Sequence, residues 1–402
     1  MLYLLQKKET ALFKIILRKN EERRIKSGHM WIFSNEIASV EGSPINGDVV
    51  QVYDSKNNFI AAGFYNANSL IVVRVLSWQE EIDIEKLFLV RLTNAFEFRK
   101  TVYPNRDSFR MVFSESDFMP GLIIDKYNST FVLQVYSAGM EKNIELIVNG
   151  LRENFSAKNI FTKNEEYFRT LEGLPAEDKV YLGSMDEEII FDGNINYKIN
   201  FATGHKTGFY FDQCDNRMFV EQFCKDKLVL DCFCNSGGFG LHASYGGASE
   251  VVFVDSSAEE IKNAQSNFAL NDFKNKADFQ QSDVFDFLEK MIAENKKFDV
   301  INLDPPAFAK NKKSLAKAVK GYEKLNRLGM ELLNDGGILF TSSCSHHLKD
   351  EMFIEVINNA ALKAGKNIQL FHFNNASMDH PYLAAMEETV YLKFAAIRVS
   401  TK

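Results

Sequence analysis

The chain has 402 residues, 46% of them apolar and 25% charged, and a net charge of −7. That length allows two to three domains, each burying its own core, and the composition is that of a soluble globular protein. A membrane span is excluded because no run of about 18 apolar residues occurs, and the acidic balance argues against binding nucleic acid through net charge alone.

Residues 1–15 are partly apolar, but charges come early and no small-residue cleavage site follows, so no signal peptide is expected. Residues 1–30 form a basic cluster that includes Lys7, Lys8, Arg23 and Arg24. Short strands are predicted at 13–17, 49–53, 59–65 and 70–76, with Asn-Gly and Asn-Asn turns between them. Together they predict a small β-barrel-like domain over residues 1–78. Within it, SGHMWIF occupies 27–33, and Trp31 and Phe33 are read as core side chains.

Residues 79–185 read as a second, α+β domain. Apolar spacing near 3.6 predicts a helix over 84–100, and strands follow at 109–113, 122–125, 131–136 and 161–163. Arg110, Asp117, Pro120, Gly121 and Asp125 are read as fixing turns there, with no chemistry. A third domain is expected over 186–402, opening with a hairpin at 186–203 turned by Asp192-Gly193. The polar stretch GHKTGFYFDQCDNR at 204–217 then precedes a helix, with Asp212 or Gln213 as its cap.

From residue 228 the pattern becomes strand, Gly-rich turn, short helix, strand, acid. Leu228-Val229-Leu230 ends at Asp231; the turn is Asn235-Ser236-Gly237-Gly238-Phe239-Gly240; residues 251–254 end at Asp255. Such a βαβ unit holds a nucleotide-like ligand, the glycines admitting it and the second acid taking its ribose hydroxyls. The turn lacks the GxGxxG spacing of a pyrophosphate site, and Asp231 would repel a phosphate but suit a sulfonium or ammonium. S-adenosylmethionine is therefore expected rather than NAD.

The alternation continues to the C-terminus, with helices at 258–271, 284–296, 315–333 and 351–364. Strands fall at 277–283, 298–303, 336–341, 369–374 and 391–399. Each candidate functional residue stands at the C-terminal end of a strand, the edge where open α/β sheets bind ligands. Asp231 is expected to face the methionine moiety, Asp255 the ribose, Asp283 the adenine amino group, and Asp304, heading Asp304-Pro305-Pro306, the transferred methyl. Asn235, Gly237, Gly238, Phe239 and Pro305 complete the expected cofactor set. Five cysteines, none in the first half, give no disulfide framework and fit a reducing cytoplasm. Cys232 and Cys234 stand too close for zinc spacing and lack a second pair, so no metal is expected.

Several of these motifs, in order along the chain, resemble one family. SGHMWIF with its following strands is similar to the PUA domain, a small RNA-binding pseudo-barrel, at the front of an RNA methyltransferase family. FRMVFSESDFMPGLIIDKY resembles that family's central domain, and GHKTGFYFDQCDNR and DPPAFAK resemble its later motifs. On these residues the chain is similar to the RlmI-like, S-adenosylmethionine-dependent 23S rRNA cytosine-5 methyltransferases. The resemblance implies a Rossmann-like class I methyltransferase domain preceded by a PUA pseudo-barrel and a central α+β domain. It also implies a cytoplasmic enzyme on large-subunit ribosomal RNA, with a homodimer as one possible assembly.

It further implies that the segment holding Lys206 and Gln213 packs over the cofactor site. Gln213 is then assigned to the cofactor and Lys206 to RNA. Carbon-5 of cytosine is a poor nucleophile until a thiolate adds at carbon-6, and Cys344, ending the strand next to the DPP strand, is expected to supply it. The base that removes the carbon-5 proton is not identified; His346 and His347 are read as loop histidines. Lys310, Lys312 and Lys313, directly after Phe308, are expected on phosphates, with Phe308 against the base. Two alternatives stay open: a base N-methyltransferase using DPPAF, and a non-catalytic RNA-binding or assembly factor.

Overall fold

A computed structural model describes residues 13–202, 206–309 and 311–402. They divide into two compact units.

The first unit comprises residues 13–101, 110–185 and 382–387. Its N-terminal part is a six-stranded sheet in the order Trp31–Phe33, Ile71–Ser77, Phe59–Tyr65, Val49–Tyr53, Phe13–Leu17, Ile37–Glu41. Alternate residues of these strands, Ile15, Leu17, Val50, Val52, Val73 and Val75, bury one face. The structure corrects the reading of residues 31–33 in part. Ile32 is the fully buried core side chain and Trp31, half-buried, packs against that core, whereas Phe33 is half-buried away from it. Trp31 donates from its indole N–H to Glu115 at 2.7 Å.

A second, five-stranded sheet runs Val180–Leu182, Asn159–Thr162, Thr130–Val135, Leu122–Tyr127, Phe109–Phe113. Arg74 joins the two sheets, 3.1 Å from Glu115 and 2.7 Å from Glu172, all three side chains nearly buried. Arg110 and Asp125 form a two-bond pair at 2.8 and 2.9 Å across neighbouring parts of the sheet. Both lie within strands rather than at the turns expected of them, and the pair ties one strand to the other.

The second unit comprises residues 102–109, 186–381 and 388–402. Its seven-stranded sheet is built from β1 (Leu228–Cys232), β2 (Glu250–Asp255), β3 (Lys276–Gln281), β4 (Phe298–Leu303), β5 (Leu333–Ser343), β6 (Lys366–Asn374) and β7 (Lys393–Thr401). The spatial order is β3-β2-β1-β4-β5-β7-β6. β1 to β5 are parallel, and β7 inserts antiparallel between β5 and β6. The order reverses between β1 and β4, so the crevice at a topological switch point opens above those two strands.

The connecting helices are α1 (Gly238–Tyr245), α2 (Ala258–Leu270), α3 (Val284–Ala293), α4 (Leu315–Leu332) and α5 (Asp350–Ala364). Leu230, Ile301, Leu303, Leu339 and Ile397 fill one core layer with Tyr322, Leu325 and Phe353 from α4 and α5. The hairpin Glu188–Asp192 and Ile195–Ile199 precedes the sheet. Its turn residue Asp192 is buried and meets Arg217 at 2.9 Å and Arg106 at 3.1 Å. Those cations hold its carboxyl far below the usual carboxylate range, against the opposing effect of burial.

Candidate active site

The turn after β1 is built from left-handed backbone. Phe233, Asn235 and Gly237 have φ of 60°, 49° and 94°. Gly237 then leads into α1. Gly240, one turn up, lies under Phe253, where a β-carbon would come 2.1 Å from the ring. Only glycine lets α1 pack this closely on β2.

Asp231 does not face the crevice as expected. It is 1% exposed, accepting from the Gly240 amide at 2.7 Å and the Asn302 side chain at 2.9 Å. Burial raises its carboxyl to about 7, opposed by those two bonds. It clamps the first turn of α1 and β4 to the end of β1. Phe239 also departs from expectation. Its ring is buried parallel to Phe394, with centroids 6.2 Å apart, because it lies on the sheet-facing side of α1. Gly238 accepts from the Tyr197 hydroxyl at 3.2 Å through its carbonyl.

Asp255 ends β2 half-buried, one oxygen accepting from the Asn235 amide and the other from the Ser257 amide, both at 3.0 Å. Each oxygen keeps a second lone pair, so the group can still accept from hydroxyls. Asp283 is exposed and caps α3, accepting from Phe285 at 2.8 Å and Asp286 at 3.2 Å.

The ends of β4 and β5 meet around Asp304. Gln213 is buried and donates to Asp304 at 3.0 Å and to the Ser342 hydroxyl at 3.2 Å, while Asn216 donates to Gln213 at 2.7 Å. Gln213 thus bridges the ends of β4 and β5. Burial first, then the charges of Asp212 and Asp231, raise the Asp304 carboxyl to about 7. The segment after β4 is zipped to the loop after β5. Ala309 donates to the Ser345 hydroxyl at 3.1 Å, and Tyr322 shares that hydroxyl at 3.0 Å.

Cys344 stands in this loop with its sulfur 3.9 Å from the Pro305 carbonyl oxygen. It is half-buried, whereas the other four cysteines are buried. Burial raises the thiol to about 11; Asp304 and Asp212 push the same way, and Lys206 and Lys393 oppose them.

Phe308 is not presented outward. Its ring packs 4.5 Å from Tyr322 and against the β-carbon position of Gly321, in the apolar layer beneath α4. Lys206 has its ammonium 4.9 Å from the centre of the Tyr210 ring. Lys312 and Lys313 are exposed just before α4 and make no ion pair among the described residues. Lys310, Gly204, His205, Lys7 and Lys8 lie outside those residues.

Four contributors went unread in the sequence. Asn302 reaches Asp231, Tyr391 donates to Asp212 at 2.6 Å, Arg217 holds the hairpin, and Lys393 is buried under the Cys344 loop. Only Lys393 left a signal, as a lysine opening an apolar strand.

A Rossmann-like sheet with a Gly-rich turn after its first strand and acids at its strand ends defines a class I methyltransferase fold. Residues 15–78 match a PUA-like domain, and residues 208–335 match the family described as conserved hypothetical protein 95. A crystal structure of a methyltransferase complexed with SAH aligns over 96% of this chain and 99% of its own, with TM-score 0.83 and 21% identity. A second structure, assigned as a SAM-dependent methyltransferase from Streptococcus mutans, aligns over the same shares with TM-score 0.81 and 20% identity.

Ribosomal RNA large subunit methyltransferase I of Tolumonas auensis is 36% identical over 96% of this chain and 98% of its own length. That of Aeromonas salmonicida is 38% identical over the same shares. The chain belongs to the ribosomal RNA large subunit methyltransferase I family. Among the described residues, no helix is long and apolar enough to cross a membrane.

Proposed function

We propose that this chain methylates carbon-5 of a cytosine in large-subunit ribosomal RNA, in the cytoplasm, with S-adenosylmethionine as methyl donor. The observation that carries the reading is Cys344. It is the one thiol not buried, and it stands 3.9 Å from the Pro305 carbonyl, beside Asp304. The donor set fits the cofactor: the turn 233–237 after β1 has the left-handed backbone of a ligand-binding loop, and Asp255 keeps acceptor capacity for ribose hydroxyls. Asn235, Gly237, Gly238 and Asp255 would hold it. When bound, it supplies an electrophilic methyl group.

The protein's own residues do the rest. A target base entering the crevice places carbon-6 near the Cys344 sulfur. Asp304, held up to about 7, is partly protonated near neutral pH and can engage the ring nitrogen edge of cytosine. Withdrawing charge there makes carbon-6 more electrophilic and removes the carboxylate charge that most opposes the thiolate. Sulfur adds at carbon-6, carbon-5 becomes enamine-like and takes the methyl, and loss of the carbon-5 proton expels the sulfur. Lys312 and Lys313 would take backbone phosphates, and the PUA-like part would take further RNA.

Nucleoside analysis of ribosomal RNA from cells with and without the gene tests the reading. One 5-methylcytosine in the large-subunit RNA should disappear on deletion. Loss of an N-methylated base instead would replace this chemistry with direct amino-group transfer.

A further inference from the structure

We propose that Lys393 is a positioning residue for the reaction, holding the Cys344 loop in place and supplying a fixed positive charge that favours its thiolate. This rests on Cys344 being the nucleophile. Lys393 opens β7 directly opposite Ser343, the last residue of β5. Its ammonium turns back beneath the strand end and donates to the Ser345 carbonyl at 2.8 Å and the Tyr391 carbonyl at 2.6 Å. Ser345 is the residue after the thiol, so the bond fixes the turn that presents Cys344. Tyr391 in turn donates to Asp212, next to the glutamine that holds Asp304. One ammonium therefore ties β7 to the loop that frames the site.

Lys393 is 3% exposed, and no carboxylate pairs with it among the described residues. A buried cation without an ion-pair partner is costly. An apolar residue would suit this strand better if structure alone were served, since Phe394, Ala395, Ala396 and Ile397 are all fully buried. The charged groups acting on Cys344 are Asp304 after β4, Asp212 ahead of the helix Cys214–Glu221, Lys206 and Lys393. Tyr210 and His346 also stand close: the Tyr210 hydroxyl feels the thiol, and His346 feels Lys393. Of the two cations, Lys393 alone is fixed by two backbone carbonyls. Its own ammonium is lowered to about 8, by burial first, with Asp350 and Cys344 holding it up.

The test compares full-length wild type, Lys393→Gln and Lys393→Arg. Each is treated with iodoacetamide from pH 7 to 10.5, and alkylation of the Cys344 peptide is followed by mass spectrometry. The four buried thiols report unfolding, and binding of S-adenosylhomocysteine reports an intact cofactor site. Lys393→Gln keeps a donor to Ser345 and loses only the charge. Its alkylation should be roughly tenfold slower than wild type below about pH 8 and converge with it above, where Lys393 itself is neutral. Lys393→Arg should match wild type near pH 7 and exceed it above about pH 8.5, because guanidinium stays charged where the buried lysine deprotonates.

Superimposed profiles for wild type and Lys393→Gln overturn the proposal. If Lys393→Gln unfolds, Lys393→Arg decides alone, and equal rates with wild type at high pH overturn it. Trapping of wild type by RNA containing 5-fluorocytosine separates the two readings. An adduct together with superimposed profiles removes only the role of Lys393. Absence of an adduct removes the nucleophile, and this role with it.

Discussion

Gln213 donates to Asp304 at 3.0 Å with the same amide group that reaches Ser342 at 3.2 Å, so a single side chain holds the ends of β4 and β5 together. The amide favours ionised Asp304, yet burial and the neighbouring carboxylates win, leaving the group at about 7.

A pH-dependent stability follows. An unfolded aspartate titrates near 3.9, so the folded state binds the extra proton between roughly pH 4 and pH 7. The stabilisation is full below the unfolded value and is lost as pH rises through about 7. Asp304→Asn keeps an acceptor for Gln213 and removes the titration. Its melting temperature relative to wild type should rise from pH 5 to pH 8, by the equivalent of about 1–2 kcal/mol after allowing for partial solvent access. Asp231 is raised in the same way, so the mutant keeps part of the slope. Asp231→Asn should instead destabilise by about 1–3 kcal/mol, since Gly240 and Asn302 both donate and an amide can accept from only one of them through its oxygen. Thermal melts across the pH range check both variants.

Asp255→Ala should weaken S-adenosylhomocysteine binding by about 10- to 100-fold, the worth of charge-assisted bonds at about 1.5–3 kcal/mol each. Because Asp255 also holds the Asn235 and Ser257 amides, part of the loss will come from a loosened turn. Asp255→Asn, which retains one oxygen acceptor, should lose less. Calorimetric titration of the three proteins orders them. An unchanged affinity in Asp255→Ala would remove the ribose assignment.

What the sequence made legible was periodic or local. Strands of the Rossmann-like sheet announced themselves as apolar runs ending in Asp231, Asp255 and Asp304, and the glycines marked the turn. Which way a side chain points at a strand end was not legible. Asp231 and Asp255 occupy equivalent places in the pattern, yet one is buried under Gly240 and the other keeps acceptor capacity at the edge. Phe239 reads as a ligand residue because it follows the turn glycines, and Phe308 because it stands just beyond Asp304-Pro305-Pro306. Packing against Phe394 and Tyr322 overrode it. Lys393 reaches Ser345 across 48 residues of sequence and Asn302 reaches Asp231 across 71, and no local spacing reveals such pairs.

Charge reversal at Lys310, Lys312 and Lys313 should weaken RNA binding and flatten its salt dependence. Each lost phosphate contact reduces the log–log slope by about 0.9 on a duplex and 0.7 on a single strand. Lys312 and Lys313 are exposed, so the fold should be unaffected and S-adenosylhomocysteine binding unchanged. Fluorescence anisotropy between low and moderate salt measures the slope. A slope that survives the triple variant would make this run a solvated face and turn attention to the N-terminal basic cluster.

The chemistry turns on Cys344. In the chain as described, burial holds the thiol at about 11, so little thiolate exists near pH 7 until substrate alters its surroundings. Adduct formation should therefore require RNA. Activity should rise with pH across the neutral range, because more thiolate becomes available, until Asp304 loses its proton above about 7 and slows engagement of the base. RNA containing 5-fluorocytosine should trap the wild-type enzyme, since fluorine at carbon-5 does not leave as a proton does and elimination stalls. Cys344→Ala should abolish both trapping and turnover while cofactor binding persists. Cys344→Ser should be nearly as inactive, because a hydroxyl is a far weaker nucleophile near neutral pH. The double variant Cys232→Ala, Cys234→Ala serves as control: both thiols are buried and raised well above their ordinary value, so trapping should survive their loss. Direct methylation of an amino nitrogen needs no adduct, and a Cys344→Ala protein that turns over at near the wild-type rate would transfer the assignment to that chemistry.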